Sequence, residues 1–199
     1  MSESEAVQAL FQRVANSMIR AVKLRTNAFR SAGVKYANEE DILSGSGASF
    51  HGGRWNPPGI RAIYASLDPI TAVKESYHEF LKYGFASVHI RPRVMAGITV
   101  NVKRVLDLTD HRIRRKLRFS LSQLIHEDWQ AIQTGGGESW TQTIGRGAKI
   151  AGFEALLAPS ARDRNGKNVV IFPENVDRKS KVELMAKSEL PPHPKDWPK

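Results

Sequence analysis

The chain contains no cysteine, which excludes disulfides and thiolate metal sites and accords with a reducing compartment. Aromatic residues are sparse, at 8%. They are not interleaved with the basic runs, as they are on a single-strand nucleic-acid platform. No apolar run approaches membrane-spanning length; the longest near the C-terminus is Val169-Val170-Ile171-Phe172. The N-terminus, Met1-Ser2-Glu3-Ser4-Glu5, is acidic and lacks the layout of a secretion signal. Together these absences predict a cytoplasmic protein without a membrane partner. No His-Glu-x-x-His or paired-histidine pattern occurs among the six histidines, so no metal site is expected. The spacings of a P-loop and of a dinucleotide-binding glycine motif are missing as well.

What is present is a chain of 199 residues, 41% apolar and 25% charged, the composition of one well-buried globular domain. Its formal net charge of +10 asks for an anionic partner: nucleic acid, a small ligand or an acidic protein. Basic residues concentrate at Arg112-Ile113-Arg114-Arg115-Lys116-Leu117-Arg118 and from Arg162 to Lys167. Without interleaved aromatics these runs read as a solvated helix face and a basic turn. A basic nucleic-acid-binding module using Arg112 to Arg118 stays open as an alternative.

Three regions follow from the patterning: residues 1–26, an N-terminal helical extension; residues 27–176, the catalytic or binding core; and residues 177–199, a charged, proline-containing tail expected to run past that core. Val7, Leu10, Phe11, Val14, Met18 and Val22 recur at helical spacing and predict a helix over residues 2–25. Short strands are expected near Ala28-Phe29-Arg30 and over Arg61–Ser66. Asp68-Pro69 is a helix start, aspartate as N-cap and proline at the first helical position. That helix should reach Tyr83 and close at Gly84, burying a stripe of Ile70, Val73, Tyr77, Phe80 and Leu81. Strands are predicted at Ser87–Val94, with Pro92 marking an edge or a break, and at Ile98–Leu106. A mainly helical region from Thr109 to Gly152 is interrupted at Gly135-Gly136-Gly137, and two late strands are expected at Ala155–Ala158 and Asn168–Phe172. The fold class is α+β, with short-stranded mixed sheets and surrounding helices.

Between the first two strands lies Ser44-Gly45-Ser46-Gly47-Ala48-Ser49-Phe50-His51-Gly52-Gly53-Arg54-Trp55-Asn56-Pro57-Pro58-Gly59. Glycine lets a backbone approach a ligand closely, arginine offers a fixed fork of donors for phosphate, and tryptophan offers a flat face. The segment reads as a ligand-binding loop. Glu75, on the helix side opposite the apolar stripe, reads from periodicity alone as a solvated carboxylate, with Glu79 an equal candidate.

The order Arg30, Tyr36-Ala37, Ser44-Gly45-x-Gly47-Ala48, Gly52-Gly53-Arg54-Trp55-Asn56, Tyr64 and Ala72-x-x-Glu75 resembles the RES domain family. Leu106-Asp107-Leu108-Thr109, Gly152-Phe153-Glu154, Pro159-Ser160-Ala161-Arg162 and the stretch Asn168–Pro173 extend the resemblance over residues 28–175. It implies a fold related to ADP-ribosyltransferases such as diphtheria toxin, and an activity that consumes NAD as substrate, with no resident cofactor. It also implies a toxin of a bacterial toxin–antitoxin pair, held inactive by an Xre-type helix-turn-helix antitoxin, with DNA contacted only through that antitoxin. Some members transfer ADP-ribose to another molecule instead, so transfer to a protein or metabolite is an alternative activity. The N-terminal helix and the tail are candidates for antitoxin binding or for forming a homo-oligomer.

The resemblance assigns catalytic roles to Glu75, Arg54 and Tyr64: Glu75 stabilises the nicotinamide ribose cation, Arg54 grips the pyrophosphate and Tyr64 stacks on nicotinamide. Arg30, His51, Gly53, Trp55, Asn56 and Ser160 are implied to bind NAD or shape its pocket. The chemistry is consistent with that inventory. Cleaving the nicotinamide–ribose bond passes through an oxocarbenium-like state, as in glycoside cleavage. Nicotinamide leaves as a neutral base and needs no proton, so one carboxylate suffices. Tyr64 could equally be a core tyrosine, Arg30 a salt-bridged strand residue and Ser160 a turn cap.

Overall fold

The computed structural model describes residues 3–16, 19–82 and 93–196. Two long strands organise it. β1 (Val22–Gly33) and β3 (Arg93–Asp107) run antiparallel, in register from Leu24↔Val102 to Gly33↔Arg93. β1 begins inside the segment predicted as helix. Leu24, Thr26 and Ala28 turn inward while Lys23, Arg25 and Asn27 are exposed, a period of two that outweighs the helical spacing read through Val22. α1 (Glu3–Asn16) accordingly stops earlier than predicted. β3 likewise replaces a predicted pair of strands: from Arg93 onward it continues without interruption through Gly97, with Ala96, Ile98, Val100 and Val102 buried. Pro92 and the rest of the first predicted strand before Arg93 lie outside the described residues.

β2 (Ile63–Ser66) pairs with β1 at Phe29↔Ser66 and with β5 (Lys167–Ile171) over its full length. β5 pairs with β4 (Ala155–Pro159), and β4 lies parallel to the end of β3 at Val105–Asp107. The order β1-β2-β5-β4-β3 thus returns to β1, curling the sheet around a core of Ile63, Ile98, Val100, Val169 and Ile171. The sheet is mixed, but with β1 and β3 at 12 and 15 residues it is not uniformly short-stranded.

The segment after Asp177 does not run free of the core. β6 (Lys181–Leu184) pairs with β3 from Ile98↔Leu184 to Asn101↔Lys181, and Met185 donates its N–H to the Gly97 carbonyl at 2.8 Å. α1 is equally integrated: Leu10 and Val14 are fully buried in a second core with Leu106, Ile144, Phe153 and Phe172. That core also receives α5 (His111–Leu117), α6 (Leu121–His126) and α8 (Trp140–Ile150), while α7 (Trp129–Thr134) packs on α8. The glycines at 135–137 separate α7 from α8, as the sequence predicts. No helix among the described residues is long and apolar enough to cross a membrane.

α4 (Pro69–Lys82) starts as expected, with Asp68 Oδ1 accepting from the N–H groups of Ile70 and Thr71 at 2.9 and 3.1 Å. Its facing is the reverse of the prediction. Ile70, Val73 and Tyr77 are 63%, 52% and 41% exposed, whereas Thr71 and Ala72 are buried. The small Ala72 side chain turns toward the sheet, and the polar face finds partners there: Thr71 Oγ1 donates to Asp163 Oδ2 at 2.8 Å. The side chains of Glu79, Phe80 and Leu81, and residues Tyr83 and Gly84, lie outside what is described.

Candidate active site

The glycine segment is less of a loop than its composition suggests. α2 (Glu39–Ser44) and α3 (Ser46–His51) fold on either side of Gly45, whose φ of 66° only glycine adopts readily. Gly53-Arg54-Trp55-Asn56 then forms a tight turn, with Gly53 N–H donating to Asn56 O at 2.8 Å. Asn56, fully buried, is the staple of this turn. Its Nδ2 donates to the carbonyls of Ala48 and Ile60 at 2.8 and 2.9 Å, and Oδ1 accepts from the Tyr64 hydroxyl at 2.7 Å. That hydroxyl also accepts from Trp55 N–H at 2.9 Å. A Cβ on Gly53 would lie 2.5 Å from the Tyr64 oxygen, so the turn closes only around glycine. Burial pushes the Tyr64 phenol above its ordinary range, which keeps it a neutral hydrogen-bonding group.

Outward from this turn opens a cavity of about 460 Å³, within the usual size of small-molecule sites. Arg30, Arg54, Arg93 and Arg162 line it, and among the described residues Glu75 is the acidic group on its wall. Arg54 is anchored from behind: Nη1 donates to the carbonyls of Leu124 and Glu127 at 3.0 and 3.1 Å. Arg30 Nη1 donates to Tyr64 O at 3.1 Å, and its buried Nε has no hydrogen-bond partner among the described residues. Arg93 holds Ser31 through Nε to Oγ at 2.7 Å and Nη2 to the carbonyl at 2.9 Å. Burial depresses the proton affinity of Arg30 and Arg54, and a second guanidinium beside each, Arg93 and Arg162 respectively, depresses it further. Cations crowded this way are relieved by an anion in the cavity.

Glu75 faces this cluster from α4. Its Oε1 accepts from Ser160 Oγ at 2.5 Å and from Asn168 Nδ2 at 2.6 Å. Among the described residues Oε2 accepts no hydrogen bond. Ser160, buried at the end of β4, in turn accepts from the N–H groups of Arg162 and Asp163 at 3.0 and 2.9 Å. Asp163 pairs with Lys74 at 3.0 Å as well as with Thr71, clamping α4 to the turn that carries Ser160.

The structure therefore brings Arg30, Gly53, Arg54, Trp55, Tyr64 and Glu75 to one cavity. Ser160 stands behind its wall as a support for Glu75. Asn56 is likewise buried behind the turn, and His51 is exposed outside the cavity, with its carbonyl held by Gln133 Nε2 at 2.9 Å. Residues the sequence reading passed over also line the site: Arg93, Arg162, Trp129, Ser66 and Asn168. Arg162 had a signal, since it closes the Pro159-Ser160-Ala161-Arg162 segment. Asn168 had a weaker one, a polar residue opening an apolar strand. Trp129 had none.

Fold and site together define a class: a mixed α+β domain whose curled sheet carries an arginine-lined cleft around one carboxylate. The RES domain family model matches residues 27–193, and the chain belongs to this family. It is 31% identical over 121 residues to the probable NAD(+) phosphorylase Rv3189 of Mycobacterium tuberculosis, a match covering 60% of this chain and 53% of that protein. The aligned stretch thus spans about half of that relative's length. Among solved structures, a chain of the M. tuberculosis MbcT-MbcA toxin-antitoxin complex shares the fold with a TM-score of 0.68 at 24% identity, covering 89% of this chain and 90% of that one.

Proposed function

We propose that this protein is the toxin of a bacterial toxin–antitoxin pair and depletes NAD by cleaving the nicotinamide–ribose bond. The observation that carries the reading is the placement of Glu75, its Oε1 held by two donors, in a cavity lined by four arginines. A dinucleotide brings what such a cavity lacks, an anionic pyrophosphate and a ribose that becomes cationic on cleavage. Arg54 and Arg30 take the pyrophosphate, and the ring of Tyr64 offers a face to nicotinamide. Glu75 faces the ribose and stabilises the oxocarbenium-like state as nicotinamide departs neutral. NAD is the substrate in this scheme, and the residues named need no resident cofactor.

Membership of the RES family and the partial match to a relative named as an NAD(+) phosphorylase support the reaction class. The fold shared with a chain of a toxin–antitoxin complex supports a protein antitoxin as partner, proposed to be of the helix-turn-helix Xre type and to be the only route to DNA. An ADP-ribosyltransferase-like architecture and a cytoplasmic site of action complete the proposal.

The test is nicotinamide release from NAD by the purified full chain, with product analysis. Free nicotinamide with ADP-ribose or its phosphate is expected, and a labelled protein in a lysate would indicate transfer instead. NAD left intact at high protein concentration overturns the reading. Glu75→Gln should reduce the rate by about 10²–10³-fold, the scale of removing one electrostatic stabiliser; unchanged activity overturns the assignment of Glu75.

A further inference from the structure

β5 opens with the exposed Lys167; Asn168 follows at the head of the apolar run Val169, Val170 and Ile171, these three without exposed surface. An amide at the head of such a strand needs partners, and this one has them on both sides. Asn168 sits across from Ser66 on β2 and Ala158 on β4. Its Nδ2 donates to Glu75 Oε1 at 2.6 Å, and its Oδ1 accepts from Ser66 Oγ at 2.7 Å. The chemistry dictates this orientation. A carboxylate only accepts, so the amide must turn its NH₂ toward Glu75, and the Ser66 hydroxyl then supplies a proton to the other end. Ser66 is itself 3% exposed and built into β2, so the lock is as rigid as the sheet.

The terminal torsion of a glutamate is broad and nearly two-fold, so an unheld carboxylate exchanges its two oxygens freely. Here Oε1 is held from two elements, by Ser160 at the end of β4 and by Asn168 on β5. Resting on the reading of this site as an NAD-cleaving one, we propose that Asn168, locked by Ser66, is a positioning residue for Glu75. It fixes Oε1 against the sheet and leaves Oε2 as the oxygen presented to the ribose. Ser160 cannot do this alone, because one hydrogen bond leaves the carboxylate plane free to turn about it.

The test compares the full-length wild type with Asn168→Asp and Ser66→Ala by initial rates of nicotinamide release over a range of NAD concentrations. Asn168→Asp keeps the shape and still accepts from Ser66, but turns an acceptor toward Glu75 where a donor is required. Its kcat is expected to fall about 10²-fold, the cost of misplacing a reacting group by about an ångström, while KM stays within about threefold. Ser66→Ala leaves the donor but unlocks it, and kcat is expected to fall by a smaller factor, about three- to tenfold. Wild-type kcat in Asn168→Asp, or a change in KM with kcat intact, overturns the inference. If Asn168→Asp does not fold, unchanged kcat in Ser66→Ala does so. A wild type that releases no nicotinamide overturns the functional reading and this inference together; activity in the wild type and in Asn168→Asp alike overturns only the inference.

Discussion

The carbonyl of Glu127 accepts a hydrogen bond from Arg54 Nη1 at 3.1 Å, tying the cleft arginine to a residue 73 positions further along the chain. The carboxylate of the same residue accepts from Trp140 N–H at 2.7 Å, Thr141 N–H at 2.9 Å and Thr141 Oγ1 at 2.6 Å, capping the start of α8. Glu127 therefore couples a helix N-terminus to the position of Arg54. Glu127→Gln removes a charge that the helix N-terminus favours, and is expected to cost about 1 kcal/mol in urea denaturation. Glu127→Ala should cost about 2 kcal/mol, the upper end for a lost cap. Lower activity should accompany it as the Arg54 anchor loosens.

Arg54→Lys tests whether the fork of the guanidinium matters or only its charge. A lysine ammonium cannot hold two carbonyls from behind and still present parallel donors to a pyrophosphate. KM for NAD is expected to rise about 10- to 100-fold, corresponding to charge-assisted hydrogen bonds of about 1.5–3 kcal/mol. Steady-state kinetics at fixed ionic strength measures this, and an unchanged KM would show that Arg54 does not hold the substrate.

Tyr64→Phe keeps the ring and removes the hydroxyl that bridges Trp55 N–H and Asn56 Oδ1. Two buried groups then lack a partner, and stability should drop by about 1–3 kcal/mol. If the ring face is what nicotinamide meets, the folded variant retains most of its kcat. A large loss of kcat with unchanged stability would instead assign the hydroxyl a direct role.

Gly145→Ala is expected to be among the most damaging single-methyl changes in the chain. A Cβ there would lie 1.7 Å from the Trp55 carbonyl oxygen, so α8 and the arginine turn cannot both keep their places. The cost should reach about 3 kcal/mol or more, seen as a lowered melting temperature or failure to accumulate. Gly135→Ala, where the nearest atom is 3.4 Å away, is the matched control and should change little.

Acid sensitivity should centre on Glu154, which is buried and accepts from Lys103 N–H, Arg104 N–H and Asp177 N–H at 2.6, 2.8 and 2.9 Å. Burial alone opposes its ionisation, but the neighbouring Ser180 hydroxyl and these amides outweigh it and hold its pKa below the ordinary 4.5. A depressed folded-state pKa contributes stability that is fully present above the unfolded value and lost as pH falls through the folded one. Stability is therefore expected to hold down to about pH 4.5 and then decline, with Glu154→Gln flattening that decline. Denaturation midpoints measured from pH 6 to pH 3 decide it.

Several of these relationships could be read from the sequence and several could not. Asp68-Pro69 announced the start of α4 because a cap and a pre-set φ act within a few residues. Gly53-Arg54-Trp55-Asn56 announced a tight turn carrying a cation, again from adjacent residues. The facing of α4 is not legible in its apolar stripe, because a stripe records which residues are apolar, not what packs against them. Here the sheet side offers Ser160, Asp163 and Asn168 as polar partners, so the helix turns Thr71 and Glu75 inward and leaves Ile70, Val73 and Tyr77 outside. The segment after Asp177 looked like a free tail because four charged or apolar residues are too few to signal a strand. β6 exists because β3 presents an edge for it.

By itself the sequence determined the mixed helix-and-strand class, the start of α4, the residue types available to a site, and the absence of any cysteine for thiolate or disulfide chemistry. These depend on identity and near spacing. Only the tertiary structure decided which of those residues meet. Glu75 joins Asn168 across 93 positions and Ser160 across 85, and Arg54 joins Glu127 across 73. Such pairs are selected by how the curled sheet folds back on itself, because hydrogen bonds reach only about 3 Å and no local pattern specifies which distant donor will arrive at that distance.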